Sequence, residues 1–103
     1  MSRIEALKQF LEEDPGDSFS RYALAMEYSK LGRAEEAIAE YREIVESDPD
    51  YVATYYQLGK ALESQGLAED AGEAYRQGIA VAGRQGDAHT RDELAAALEM
   101  LEG

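Results

Sequence analysis

The 103-residue sequence contains no cysteine, no tryptophan and no asparagine, and only two prolines. The absence of cysteine excludes disulfide bonds, thiolate metal sites and cysteine nucleophiles. It also fits a reducing compartment.

Long apolar runs are missing as well. Residues 1–13 lack the basic start and continuous apolar stretch of a signal peptide, and nowhere do about 18 apolar residues follow one another. We therefore expect a cytoplasmic protein that does not associate with membranes.

Cationic side chains are scarce. Three lysines and seven arginines stand against 22 aspartates and glutamates, which gives a formal net charge of −12. Because this charge would repel phosphates, we expect no nucleic-acid partner. An excess of acid with little lysine indicates either a salt-rich cytoplasm, where salt relieves the self-repulsion, or an ordinary acidic bacterial adaptor.

What the sequence does contain is a repeat. Two Asp-Pro pairs, at 14–15 and 48–49, stand 34 residues apart. The same offset superposes segment 17–50 on segment 51–84 and aligns Tyr22 with Tyr56, Leu24 with Leu58, Gly32 with Gly66, Ala37 with Ala71 and Tyr41 with Tyr75. A period of this length is typical of units that bury their apolar faces by stacking on neighbours.

Regular breaks divide the chain into helix-length segments. They fall at 14–16, 31–32, 48–49, 65–66 and 83–86. Apolar residues share one side of segment 2–13 (Ile4, Leu7, Phe10, Leu11) and one side of segment 34–47 (Ala37, Ile38, Tyr41, Ile44, Val45). Both segments are predicted to be amphipathic helices.

Charged and polar residues mark the helix starts. The pairs Glu35-Glu36 and Glu69-Asp70 follow the glycine breaks, where a helix amino terminus stabilises negative charge. Thr90 and Glu93 have the spacing of a capping box, which predicts a last helix at 87–102. Since strand signals are poor, we expect an all-α fold of about six helices.

The period and residue pattern resemble those of the tetratricopeptide repeat (TPR) family over roughly residues 3–103. The first full unit matches at Leu24-Ala25, Tyr28, Ala37, Tyr41 and Pro49, with Arg21 in the tryptophan slot. The second matches at Tyr55, Leu58-Gly59, Ala71 and Tyr75, with Leu62 in the tyrosine slot and Gly83 in the proline slot.

The resemblance implies a small bacterial TPR domain protein with the fold of a right-handed α-α superhelix, a solenoid of antiparallel helix pairs. A single domain would span 1–103. It would comprise an N-terminal half repeat at 3–14, repeat 1 at 18–50, repeat 2 at 51–84 and a C-terminal capping helix at 87–102.

The first helix of each repeat is predicted to be apolar or mixed on two faces. Taking about 100° per residue, Leu24, Tyr28 and Leu31 share one face, which should pack within the repeat. In proteins that the chain resembles, the opposite face lines a concave groove that holds a peptide or a partner helix. The resemblance therefore implies groove residues Phe19, Tyr22, Met26, Lys30, Tyr56 and Lys60.

Two questions about this groove stay open at the level of sequence, and one kind of ligand is not expected. Phe19 and Met26 could instead fill the seam between neighbouring helices. Lys30 and Lys60 would attract an acidic peptide, although surface lysines are usually only solvated. The lysine, arginine and asparagine clamp with which some TPR proteins hold chaperone tails is incomplete, because asparagine is absent, so we do not expect a chaperone-tail receptor.

The expected function is that of a non-catalytic scaffold or adaptor that binds another protein. Two alternatives are homo-oligomerisation and a segment of a larger TPR protein. His89, the sole histidine, stands near Asp92, but a metal site needs about three or four converging ligands. We expect no metal, no cofactor and no enzymatic activity, since phosphate-loop and nucleophile motifs are missing.

Overall fold

The computed structural model describes residues 2–103, and six α-helices account for most of them. The helices are α1 (Arg3–Glu13), α2 (Ser18–Lys30), α3 (Ala34–Ser47), α4 (Ala53–Ser64), α5 (Ala68–Gln85) and α6 (Ala88–Glu102). No strand occurs in residues 2–103. The prediction of an all-α fold with about six helices is confirmed.

The chain forms two compact units. The first unit ends at Tyr51, and the second unit is Val52–Gly103. In the first unit α2 packs against both α1 and α3, and in the second unit α5 packs against both α4 and α6.

The turns inside the two repeats have the same backbone geometry. Gly32 and Gly66 have φ values of 73° and 76°, in the left-handed region that glycine adopts without steric cost. The backbone N–H of Arg33 donates to the carbonyl oxygen of Tyr28 at 2.9 Å, and that of Leu67 donates to Leu62 at 3.0 Å. These bonds are typical of a Schellman cap, which ends one helix and leads directly into the next.

The core of the first unit lies between α2 and its two neighbours. Its buried apolar side chains are Leu7 and Leu11 from α1, Leu24, Ala25 and Tyr28 from α2, and Ala37, Tyr41 and Ile44 from α3. Removing this apolar area from water is the main favourable contribution to folding.

In the second unit two helical glycines allow close packing against aromatic rings. A Cβ atom at Gly78 would lie 2.6 Å from the Cβ of Tyr55 and 2.8 Å from the Cδ1 of Leu94, and one at Gly59 would overlap the ring of Tyr75. Tyr55, Tyr75 and Leu94 are all fully buried. The repeat therefore uses glycine where a large side chain from another helix occupies the space.

Two residues predicted to face the core are exposed. Phe10 is 58% exposed and Leu31 is 60% exposed. Leu31 is the C-cap residue of α2, beyond the last regular turn, so it no longer follows the helical face of Leu24 and Tyr28. Phe10 belongs to α1, where Leu7 and Leu11 are the buried residues.

The start of α6 also differs from the prediction. Its N-cap is Asp87, whose carboxylate accepts a hydrogen bond from the backbone N–H of Thr90 at 3.1 Å. The prediction of a capping box with Thr90 as the N-cap is therefore wrong. The preceding helix continues through Gly83 to Gln85 and ends at Gly86.

Candidate functional site

The predicted binding face of α2 contains one largely exposed aromatic ring, two half-buried side chains and one exposed lysine. Phe19 is 71% exposed, Tyr22 and Met26 are half-buried, and Lys30 is exposed. Residues three and seven positions apart lie on the same side of a helix, so Phe19, Tyr22 and Met26 form one continuous stripe.

Tyr22 contacts two other tyrosines of the first unit. Its ring centroid lies 6.0 Å from that of Tyr41 on α3 and 5.7 Å from that of Tyr51, with interplanar angles of 59° and 48°. Tilted pairs at these distances are favourable arrangements of aromatic rings. The buried side of the Tyr22 ring is therefore part of the packing of the first unit.

Met26 also has a structural contact. The Tyr41 hydroxyl donates a hydrogen bond to the Met26 Sδ at 3.1 Å. Burial raises the pKa of Tyr41 to about 12, and a hydrogen bond with Ser29 acts in the opposite direction. Part of the Met26 side chain therefore fills the space between α2 and α3, two neighbouring helices of the first unit.

On α4 the equivalent face is charged. Tyr56 lies 6.3 Å from the buried Tyr75 ring on α5, and the Lys60 ammonium lies 5.6 Å from the centroid of the Tyr56 ring. The Tyr75 hydroxyl donates to the carboxylate of Glu63. Burial, followed by this bond and the charge of Glu63, raises the pKa of Tyr75.

The two repeats therefore share a tyrosine pair but differ around it. Tyr22 with Tyr41 and Tyr56 with Tyr75 occupy matching positions of the 34-residue period. In the first repeat the hydroxyl of the buried tyrosine, Tyr41, donates to the sulfur of Met26. In the second repeat the hydroxyl of Tyr75 donates to the carboxylate of Glu63. The α2 face is consequently the more apolar of the two.

Both lysines predicted at the site have carboxylate partners on their own helix. Lys30 Nζ lies 3.6 Å from Glu27, which also binds Arg3 at 2.7 Å, and Lys60 Nζ lies 3.8 Å from Glu63. Such pairing reduces the attraction that either lysine offers to an acidic ligand.

Three residues near the α2 face were not predicted as site residues. They lie at the start of α2 and are Tyr51, Asp17 and Asp48. Asp17 is the N-cap of α2, and Asp48 accepts a hydrogen bond from Ser18 Oγ at 2.6 Å. The backbone N–H of Tyr51 donates to the carbonyl oxygen of Asp48 at 3.0 Å. The position one period after Tyr51 is Gln85, so the repeat gives no signal for this tyrosine.

His89 lies at the surface. Its Nε2 is 3.7 Å from a Glu93 carboxylate oxygen, and its side chain is 85% exposed. Within the described part of the chain, no group of three or more histidine, aspartate or glutamate side chains is placed to hold a metal ion. None of the six helices is long and apolar enough to cross a membrane, as far as residues 2–103 are concerned.

The helices and turns define an all-α helical-repeat protein, and comparison with known proteins gives the family. The TPR repeat model matches residues 26–66, and two tetratricopeptide repeat models match residues 6–39 and 52–84. A TPR repeat-containing protein of Pseudomonas aeruginosa is 33% identical over 99 residues, which cover 96% of this chain and 94% of that protein. The chain belongs to the tetratricopeptide repeat family.

Solved structures agree with this assignment. The crystal structure of a tetratricopeptide repeat domain protein from Salinibacter ruber has 47% sequence identity and a TM-score of 0.80, covering 84% of this chain and 97% of that one. The TPR2B domain of yeast Sti1, in its pHsp70 complex, has a TM-score of 0.89 at 19% identity, covering 96% of this chain and 79% of that one. The second likeness shows the fold alone. TPR domains generally mediate protein–protein interaction and are non-catalytic scaffolds.

Proposed function

We propose that this chain is a non-catalytic adaptor that binds a peptide or helix of a partner protein. The proposed binding residues are Phe19, Tyr22, Met26 and Lys30 on α2, and Tyr56 and Lys60 on α4. Each set is assigned within its own unit. The prediction that they line one groove stays a prediction.

The exposure of Phe19 is the observation that supports this proposal most directly. A phenylalanine that is 71% exposed leaves a large apolar surface in water, next to the half-buried Tyr22 and Met26. Burying such a ring against a partner would contribute roughly 1.5–3 kcal/mol, and aromatic anchors commonly dominate interfaces. Tyr22 is already fixed by its ring contacts, so it would lose little conformational freedom on binding.

The chain contains a matched control for this hypothesis. Its only other phenylalanine, Phe10, is also exposed but belongs to α1. We expect Phe19→Ser to lose a specific partner from a lysate of the source organism, as measured by quantitative mass spectrometry of captured proteins. Phe10→Ser should retain that partner.

Circular dichroism would first establish that both variants keep the helix content of the wild type. Equal recovery of every captured protein by both variants would contradict the assignment of binding to the α2 face. Loss with Phe10→Ser alone would move the binding surface to α1.

A separate observation favours self-assembly as a second candidate function. Met100 on α6 is 83% exposed, which leaves a large apolar side chain of the second unit in water. If this surface joins two copies, light scattering should show a mass that rises with concentration, and Met100→Glu should abolish the rise. A monomer mass at all concentrations would exclude this candidate.

A further inference from the structure

We propose that the first unit recognises a lysine or arginine side chain of a basic partner segment. The site would lie at the start of α2 and consist of Phe19, Tyr22, Tyr51, Asp17 and Asp48. This inference rests on the proposed function, and it assigns the partner the opposite charge from the acidic peptide considered for Lys30 and Lys60.

The geometry brings aromatic rings and carboxylates to the same end of the first unit. The hydrogen bond from Ser18 Oγ to Asp48 Oδ2, 2.6 Å long, ties the start of α2 to the residue that ends α3. Tyr51 follows three residues later and stacks at an angle on Tyr22, with centroids 5.7 Å apart. Both tyrosines are half-buried, so each retains some surface in contact with solvent.

Two carboxylates of the unit act on the Tyr51 phenol, and the backbone N–H of Tyr51 donates to the carbonyl oxygen of Asp48 at 3.0 Å. Burial raises the pKa of Tyr51 first, and the negative charges of Asp17 and Asp48 raise it further. Asp48 accepts a hydrogen bond from the Ser18 hydroxyl, and Asp17 accepts from the Ser20 hydroxyl and from the backbone N–H groups of Phe19 and Ser20. A carboxylate has about four lone-pair positions, so both residues keep acceptor capacity for a cation.

This combination suits a cationic side chain. An ammonium or guanidinium group is attracted to the face of an aromatic ring within about 6 Å and forms charge-assisted hydrogen bonds with carboxylates. The dipole of α3 makes its carboxyl end negative, and no basic residue in its last turn offsets this potential. The amino terminus of α2 is positive, and the N-cap carboxylate of Asp17 offsets that potential. Phe19 would cover the aliphatic part of the bound lysine or arginine.

The charge balance of the first unit also favours a basic partner. Residues 1–51 contain 13 aspartates and glutamates against six lysines and arginines. At least four of those six cations are already paired with a carboxylate of the same unit: Arg3 and Lys30 with Glu27, Arg21 with Glu40, and Arg33 with Glu36. An acidic peptide would meet a net negative surface, as would a second copy of this chain.

Two short synthetic peptides test the proposal. They are identical except that one has lysine wherever the other has glutamate, and fluorescence anisotropy measures their binding to the full chain. We expect the lysine peptide to bind and the glutamate peptide not to bind. Affinity for the lysine peptide should fall as salt is raised, because the attraction is electrostatic.

Variants separate this site from general attraction to an acidic surface. We expect Phe19→Ser, Asp48→Asn and Tyr51→Leu each to weaken lysine-peptide binding by about fivefold or more. Phe10→Ser should retain binding, since Phe10 lies on another helix. Tyr51→Phe, which keeps the ring, should weaken binding less than Tyr51→Leu does. Asparagine at 48 keeps an acceptor for Ser18, and circular dichroism would verify that each variant folds.

Several outcomes would overturn the inference. These are tighter binding of the glutamate peptide, no binding of either peptide, or lysine-peptide binding that the three site variants leave unchanged. If any of them occurred while Phe19→Ser still lost a partner from lysate, the adaptor function would stand and only its charge preference would fail.

Discussion

At the scale of single residues, two glycines of α5 should respond oppositely to the same substitution. A Cβ at Gly78 would lie within 3 Å of Tyr55 and Leu94, whereas a Cβ at Gly83 would meet nothing within 4 Å. We expect Gly78→Ala to lower the free energy of unfolding by roughly 1–3 kcal/mol through overpacking. Gly83→Ala should raise it by about 0.5 kcal/mol, because alanine favours the helix.

Urea denaturation of the two variants and the wild type measures this difference. A stable Gly78→Ala variant would show that the α4, α5 and α6 side chains around this position can move apart without cost.

Tyr41 gives a residue-scale prediction for alkaline pH. Its pKa is raised from 10.0 to about 12 by burial, so the folded state favours the protonated phenol. This contribution is fully present below about pH 10 and is lost as the pH rises towards 12, and it amounts to on the order of 2 kcal/mol. Tyr41→Phe should therefore lose less stability than the wild type across this window.

The measurement is the urea midpoint as a function of pH for both proteins. Some loss should remain in the variant, because the pKa of Tyr75 is also raised. Parallel curves for the variant and the wild type would contradict the assignment.

At the scale of elements, the start of α6 depends on Asp87. This carboxylate accepts hydrogen bonds from the backbone and side chain of Thr90, which lowers the pKa of Asp87. We expect Asp87→Ala to lower the melting temperature more than Thr90→Ala, because alanine at 90 keeps the backbone donor while alanine at 87 removes the acceptor. Asp87→Asn should retain most of the cap. A larger effect at Thr90 would restore the capping box predicted from the sequence.

At the scale of the whole molecule, the net charge of −12 should make stability depend on salt. If the composition is an adaptation to a salt-rich cytoplasm, the melting temperature should continue to rise in potassium chloride above roughly 0.5 M, where ordinary surface charges are already screened. A flat response above that concentration would favour an ordinary acidic adaptor. The double variant Glu12→Gln/Glu46→Gln neutralises two exposed carboxylates, so it should change the melting temperature in low salt.

Much of the fold could be predicted from the sequence because its signals are local. The apolar spacing of segment 34–47 predicted α3 with the bounds that the structure has. Acidic residues follow the first residue of α3 and of α5, as expected from the helix dipole. The 34-residue period identified the repeat family without reference to any contact.

The candidate site was less predictable, because the burial of a side chain depends on which distant segment packs against it. Phe10 and Leu7 lie on nearly the same helical face, yet Phe10 is exposed and Leu7 is buried. Met26 and Tyr22 were predicted as groove residues from periodicity and resemblance, but their partner Tyr41 is 15 or more positions away in the sequence.

Residue spacing was therefore enough to establish the helical class, the repeat and its family, since these depend on the pattern within one helix or one period. Packing between distant segments brings Tyr22, Tyr41 and Tyr51 into one cluster and leaves Phe19 exposed beside it, and no local pattern predicted either. Packing also brings Asp48 to the start of α2. The physical reason is that packing and hydrogen bonding join atoms distant in the sequence, and no local pattern records where they meet.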